Sequence, residues 1–140
     1  GQKTNAGWYR YEPGDRTPRP DPEVARLIKE TAAEHGIAQR SDITDDEILK
    51  RLLFASVNEA CKILEEGIAH RASDVDIMWL HGFGFPRYRG GLMFWADGIG
   101  PRAVYDQIAA WHQRYGARWA PSTLLRRLAE TGTAFRDATA

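Results

Sequence analysis

TDDEILKRLLFASVNEACKILEEGI, residues 44–68, reads as one long helix from cap to stop. Thr44 with Glu47 three positions later is a capping box, in which a hydroxyl accepts from the first turn and a carboxylate reaches back to the cap. Ile48, Leu52, Ala55, Val57, Ala60, Ile63, Leu64 and Ile68 give the segment a wide apolar stripe, which predicts the central core helix. Glu66-Gly67 is its expected end. Downstream, Ser73-Asp74-Val75-Asp76 has the form of a second capping box and predicts a short helix through Ile77, Met78 and Leu80. Four glycines and a proline between Gly82 and Gly91 break regular structure. Three more helices are expected beyond that break. One covers Leu92–Asp97. Another starts at Pro101 and stops at Gly116, and the last starts at Pro121 and ends at Thr131-Gly132.

Upstream, Asp21 as cap and Pro22 as first helical residue open a helix that should stop at His35-Gly36. Before it, Gly7-Trp8-Tyr9-Arg10-Tyr11 and the proline-rich, charged run Glu12–Pro20 predict a linker, because each X-Pro step disfavours helix. No segment alternates apolar and polar for long enough to be a strand. The expected fold class is therefore all-α: a compact domain of five to six helices preceded by an irregular aromatic and Pro-rich segment.

Composition narrows the function classes. The chain has 140 residues, 43% hydrophobic and 27% charged, which suits one globular domain. Nineteen basic and nineteen acidic side chains cancel, giving no global attraction to nucleic acid. The distribution is uneven, with −5 over residues 41–76 and +4 over 77–140. That pattern fits an acidic helix beside basic ones, or a basic face meeting a phosphate-bearing ligand or acidic neighbour. A single cysteine, Cys61, excludes a disulfide framework and a cysteine-built zinc site. No apolar run is long enough for a membrane span. The opening Gly-Gln-Lys-Thr carries no secretory signal and reads as a cut or processed end. A reducing, cytoplasmic location is expected.

No catalytic, cofactor-binding or metal-binding residues are expected within the chain. His35, His70, His81 and His112 are scattered, with no i, i+4 pair and no HExxH. Cys61 sits among Ala60, Ile63 and Leu64, as an inert buried thiol would. The glycine-rich loop lacks the strand before it and the third glycine that a nucleotide-binding loop needs. It reads better as a tight connection whose Phe83, Phe85 and Tyr88 plug a core or an interface. Arg87 and Arg89 would then face solvent, a ligand phosphate or a partner. Trp79, Trp95, Trp111 and Trp119 crowd the C-terminal half, as either an aromatic core or an interface would require. The candidate interface or ligand-phosphate contacts are thus Phe83, Phe85, Arg87, Tyr88, Arg89 and Trp95.

Two stretches resemble the C-terminal helical region of the 3-hydroxyacyl-CoA dehydrogenase family. Gly1-Gln2-Lys3-Thr4-Asn5-Ala6-Gly7-Trp8-Tyr9 is similar to the segment closing that family's first helical domain. Arg51-Leu52-Leu53, Asn58-Glu59-Ala60, Leu64–Ala69, Asp74-Val75-Asp76, Gly82-Phe83-Gly84-Phe85-Pro86, Gly90-Gly91 and Asp97-Gly98-Ile99-Gly100 follow the order of its helical module. The match is best to the second copy found in multifunctional fatty-acid-oxidation enzymes. The resemblance covers residues 1–12 and 46–115. It implies that residues 1–20 are the tail of a preceding helical domain plus linker, and that 21–140 form the C-terminal-like helical domain.

It also implies a parent that oxidises 3-hydroxyacyl-CoA to 3-oxoacyl-CoA with NAD, on a Rossmann domain and a catalytic His and Glu upstream. In the catalytic copy a substrate-contacting Asn immediately precedes the Arg-Leu-Leu run; here that position is Lys50. Asn5 and Leu92 are further departures, standing where the family has Gly and commonly Pro. The expectation is a non-catalytic, interface-forming duplicate, inactive alone and without a cofactor of its own. Its expected partners are the preceding helical and Rossmann domains, and a homodimeric twin when isolated. The alternatives are a coenzyme A-binding module using Arg87 and Arg89, or a docking module for a thiolase subunit.

Overall fold

A computed structural model describes residues 2–138, and the chain falls into two compact units, 1–43 and 44–140.

The first unit carries the only strands among the described residues. Strands β1 (Tyr9–Arg10) and β2 (Arg19–Pro20) pair antiparallel, with Tyr9 opposite Pro20 and Arg10 opposite Arg19. This two-residue ribbon corrects the expectation of a strand-free chain. It is too short to show alternation, and Pro20 fits because a ribbon has only edge strands. Asp15 shapes its turn, accepting from the Thr17 N–H at 2.9 Å and from Arg19 at 3.0 Å. The Thr17 bonds and the Arg19 guanidinium hold the Asp15 carboxyl down to about 2. Helix α1 (Pro22–Glu34) follows, its first turn capped by the Asp21 carboxylate accepting from Glu23 N–H. No residue of α1 is buried, and Leu27 and Ile28 are exposed.

The second unit is built on α2 (Asp45–Glu65), capped by Thr44 as its sequence demands. Around it pack α3 (Ala72–Gly82), α4 (Leu92–Asp97), α5 (Pro101–Tyr115) and α6 (Thr123–Thr131). Phe54, Val57, Cys61 and Leu64 of α2 meet Val75, Leu92, Met93, Val104, Ile108, Leu124 and Leu125 in one cluster. The last turn, Phe135–Asp137, closes it with a wholly buried Phe135. Such a side chain contributes about 1.5–3 kcal/mol by burial.

Three sequence readings are corrected in detail. Helix α3 begins at Ala72, not at Ser73: Asp74 is the acceptor that reaches back to the Arg71 N–H at 3.1 Å, so the cap lies two residues earlier. Helix α6 begins at Thr123, because Ser122 rather than Pro121 precedes its first turn and accepts from Leu125 N–H. The apolar stripe of α2 is mis-phased in its first half. Leu52 is 62% exposed and Ile48 46% exposed. At about 100° per residue both lie nearly opposite Val57. The inward stripe instead runs through 53, 57, 61 and 64, and the positions that continue its register toward the N-terminus, 50 and 46, are charged and not buried.

Long-range hydrogen bonds from short polar side chains fix the helices. The Asn58 amide accepts from Ser122 N–H at 2.8 Å and donates to Ala120 C=O at 3.0 Å, tying α2 to the start of α6. Glu65 accepts from Leu124 N–H. Asp76 on α3 accepts from Met93 N–H at 2.7 Å and from Phe94 N–H, acting as a remote cap for α4. Asp97 at the end of α4 accepts from the N–H groups of Phe135 and Arg136, anchoring the final turn. Helix N-termini leave N–H groups unsatisfied, so these acceptors supplement the Ser122 cap of α6 and supply one for α4, which has no side-chain cap of its own.

Candidate functional site

The Gly82–Gly91 connection leaves α3 and reaches α4 by a 3-10 turn at Arg87–Arg89. Its six candidate residues separate into two groups. Phe85 turns inward and is buried, standing edge-on to Trp79 with ring centroids 5.8 Å apart. Trp95 of α4 is partly buried and packs 6.2 Å from Phe54. Phe83, by contrast, is 67% exposed despite lying 5.0 Å from Trp79, and Tyr88 is 83% exposed. Arg87 and Arg89 are both exposed. Neither forms an ion pair with a carboxylate among the described residues, and the Arg89 guanidinium lies 5.5 Å from the Tyr88 ring.

Between this connection and the first two turns of α2 lies a cavity of about 560 Å³. Leu49, Leu53, Phe85, Pro86, Trp95 and Ile99 make its walls, with Asp46, Lys50 and Arg89 as the charged groups. Lys50 and Asp46, one turn apart, pair at 2.7 Å. The structure therefore brings Lys50, Phe85, Arg89 and Trp95 to one site. Arg87, Phe83 and Tyr88 do not line it. Leu49, Leu53, Ile99 and Asp46 were not singled out from sequence. The 46–50–53 spacing, in register with the core positions of α2, was the available signal.

The tryptophans resolve chiefly toward the core. Trp111 is buried, 6.2 Å from Phe54 and 4.6 Å from Trp119. Arg51 lies over the Tyr115 ring at 4.7 Å and donates to the Tyr115 hydroxyl at 2.8 Å, clamping α2 to α5. What stays outside is aliphatic and phenyl surface: Ile48, Leu52, Ile77, Met78, Phe83 and Phe94 are exposed.

Two titratable groups of the second unit are shifted by burial. Burial pushes the Cys61 thiol up to about 12, against a weaker opposing hydrogen bond from Ser122. Burial also raises the Asp76 carboxyl, partly offset by its Met93 and Phe94 N–H bonds. Both groups are structural. No cluster of three metal-ligating side chains occurs among the described residues. A dinucleotide does not fit either. The Gly82-Phe83-Gly84 run follows a helix rather than a strand, and the Asp76 carboxylate already fills the N-terminus of the helix beyond it.

An all-α module in which Asn58, Asp76 and Asp97 hold distant backbone segments is thus the class defined by fold and site. The chain belongs to the 3-hydroxyacyl-CoA dehydrogenase C-terminal domain family, whose match spans residues 48–139. It is 39% identical over 135 residues to the peroxisomal fatty acid beta-oxidation multifunctional protein AIM1 of Arabidopsis thaliana, covering 94% of this chain and 19% of that protein. It is 41% identical over 136 residues to the peroxisomal bifunctional enzyme of Danio rerio, covering 95% and 19%. The human peroxisomal bifunctional enzyme is 38% identical over 135 residues, covering 94% and 18%. The chain spans about a fifth of the length of these curated relatives. No helix among the described residues is long and apolar enough to cross a membrane.

Proposed function

We propose that this chain is a non-catalytic, interface-forming module of an NAD-dependent 3-hydroxyacyl-CoA dehydrogenase of fatty acid β-oxidation. The observation that carries the reading is the number of large apolar side chains left exposed on the second unit. Ile48 and Leu52 on α2, Ile77 and Met78 on α3, and Phe83 and Tyr88 beyond it are large side chains left in water. A stable monomer rarely keeps that much apolar surface exposed, and a partner surface would remove it. The family's reaction passes hydride from a 3-hydroxyacyl-CoA to NAD, and the groups for that step would come from elsewhere in the parent. Lys50 supports the assignment: at the position where the catalytic copy has a substrate amide, this chain has a cation already engaged by Asp46.

The partners in this reading are the preceding helical and Rossmann domains, with residues 1–20 as the tail of the former. In their absence the module would pair with its own copy. Peroxisomal and glyoxysomal names belong to the relatives, and a cytoplasmic location for this chain rests on its sequence alone. Light scattering coupled to size exclusion tests the reading. The isolated 140-residue chain should self-associate, and Phe83→Ser with Tyr88→Ser should shift it to monomer without loss of helicity. A clean monomer of the unmodified chain at high concentration would count against it. Coenzyme A binding through Arg87 and Arg89 is the second reading, favoured by the place of Arg89 beside Lys50. Calorimetric saturation with coenzyme A at micromolar concentration would support it.

A further inference from the structure

We propose that residues 134–138 are an exchangeable arm. In a dimer of this chain, Phe135 of each copy fills the α3–α4 site of the other, and the Phe135 and Arg136 N–H groups donate to the other copy's Asp97. This is a second contact, made by a buried segment and not by exposed side chains, and it does not rest on the interface reading.

The arm is held by elements far from it in the sequence. Phe135 has no exposed surface and Ala138 almost none, while Arg136 and Asp137 between them face water. The turn packs chiefly on α3 and α4, not along α6, the helix it follows. Asp97, at the end of α4, accepts from Phe135 N–H and from Arg136 N–H, the latter at 3.1 Å. Beyond Thr133, the other hydrogen bonds of the segment among the described residues lie inside the turn. Asp137 N–H donates to Ala134 C=O, and Ala138 N–H to Phe135 C=O. One phenyl ring, one methyl group and one carboxylate therefore hold a turn that carries its own internal bonds. It sits on α3 and α4 as a bound ligand would.

The joint that delivers the arm is short and turns on a single residue. Gly132 closes α6 with φ of +68°, and no atom lies within 4 Å of where its β-carbon would be. The bend is thus set by the glycine backbone and not by packing, and glycine reaches negative φ as readily. From Gly132 to Phe135 the chain spans at most about 10 Å. With so little slack, the arm reaches its own site only along the course that Gly132 sets.

A second copy is the occupant that this site fits without any change. Its arm brings the same ring, the same two N–H groups and the same internal bonds. Exchange keeps each of those contacts and gives up only the closed connection, which makes swapping a low-cost route to a dimer. An unrelated peptide would have to reproduce both the ring and the turn.

The test uses the whole 140-residue chain carrying Phe83→Ser and Tyr88→Ser. Those changes remove pairing through the exposed side chains, so the two readings can fail separately. Concentrated, warmed and cooled, this chain should give a dimer that persists after dilution on size exclusion with light scattering, because both arms must open before the copies part. Deleting Thr133 leaves the arm short of its own site and should make that dimer the main species. A flexible Gly-Ser insert after Gly132 gives the arm slack and should leave monomer. A fluorescent peptide of residues 132–138 should be captured on warming by the chain with its joint unchanged, and the Phe135→Ala peptide should not.

The proposal is overturned by the absence of a persistent dimer, or by a dimer fraction that rises with the insert. It is also overturned if neither peptide is captured or both are captured equally. A Thr133 deletion that stays monomeric, with its Phe135 and Arg136 amides still protected from hydrogen exchange, would count the same way. If the deletion variant does not fold, the insert and the peptides decide, since they leave α2 to α6 unaltered.

Discussion

Gly91→Ala should be the most damaging single methyl group in this chain. Gly91 has φ of +110°, and a β-carbon there would lie 2.4 Å from the Asp76 β-carbon and 2.5 Å from its Oδ1. Two costs combine. Holding an L residue at that backbone angle costs about 1–3 kcal/mol. Asp76 must also retreat, and its carboxylate is the acceptor for the Met93 and Phe94 N–H groups. Leaving such donors unsatisfied costs about 1–3 kcal/mol. The sum, about 2–6 kcal/mol, is a large part of the 5–15 kcal/mol that typically holds a domain together.

The loss would be local first. Helix α4 carries Trp95 and leads to Ile99, so the cavity wall would loosen along with the start of the helix. Urea unfolding followed by tryptophan fluorescence measures the loss. A midpoint shift of about 1–3 M is expected for a slope of about 2 kcal/mol/M. A double-mutant cycle separates the two costs. In an Asp76→Gly background the steric conflict is gone, and Gly91→Ala should then cost only its backbone share. A Gly91→Ala penalty under about 0.5 kcal/mol, the size of an ordinary surface substitution, would refute the reasoning. So would a penalty unchanged by Asp76→Gly.

Two further outcomes follow from the buried polar groups. Burial lifts the folded-state pKa of Asp76 above 3.8, so its ionisation weakens the folded state relative to the unfolded one. Stability should therefore rise as the pH falls toward the unfolded value and be lost again as the pH rises through the folded one. Asp76→Asn keeps the acceptor and removes the charge, so the stability difference between the two proteins should narrow or invert from neutral pH to about pH 4. A pH-independent difference would contradict this. Cys61, with its thiol pushed up to about 12 and no exposure, should resist a thiol reagent at pH 8 in the native protein and react at once in urea. Rapid native modification would show that α2 opens far more readily than its packing implies.

How much of this was legible differs by element. Caps and stops were, because they are local chemistry: Asp21 and Thr44 accept from N–H groups two or three residues away, and Gly116 and Gly132 end the helices expected to stop there. The phase of α2 was not, because the helix carries apolar residues on opposite sides and hydropathy cannot tell which side has neighbours. The final turn at Phe135 was missed for the same kind of reason. Its ordering depends on Asp97, 38 positions earlier, which no local pattern announces.

The family's signature residues teach the same lesson. Asn58, Asp76 and Asp97 are polar residues in quoted motifs and invite a catalytic reading. Each proves to hold the backbone of a distant segment.

The sequence by itself determined a chain built of helices, the locally capped starts and glycine stops of most of them, and its family, because hydrogen bonds within a turn and residue order are properties of neighbours along the chain. Only the tertiary structure decided which apolar side chains are core and which face water. It alone showed that Lys50, Arg89 and Trp95 share a cavity and that Phe83 and Tyr88 stand outside it. Burial is a relation between segments, and a residue's chemistry is set by what the fold brings against it.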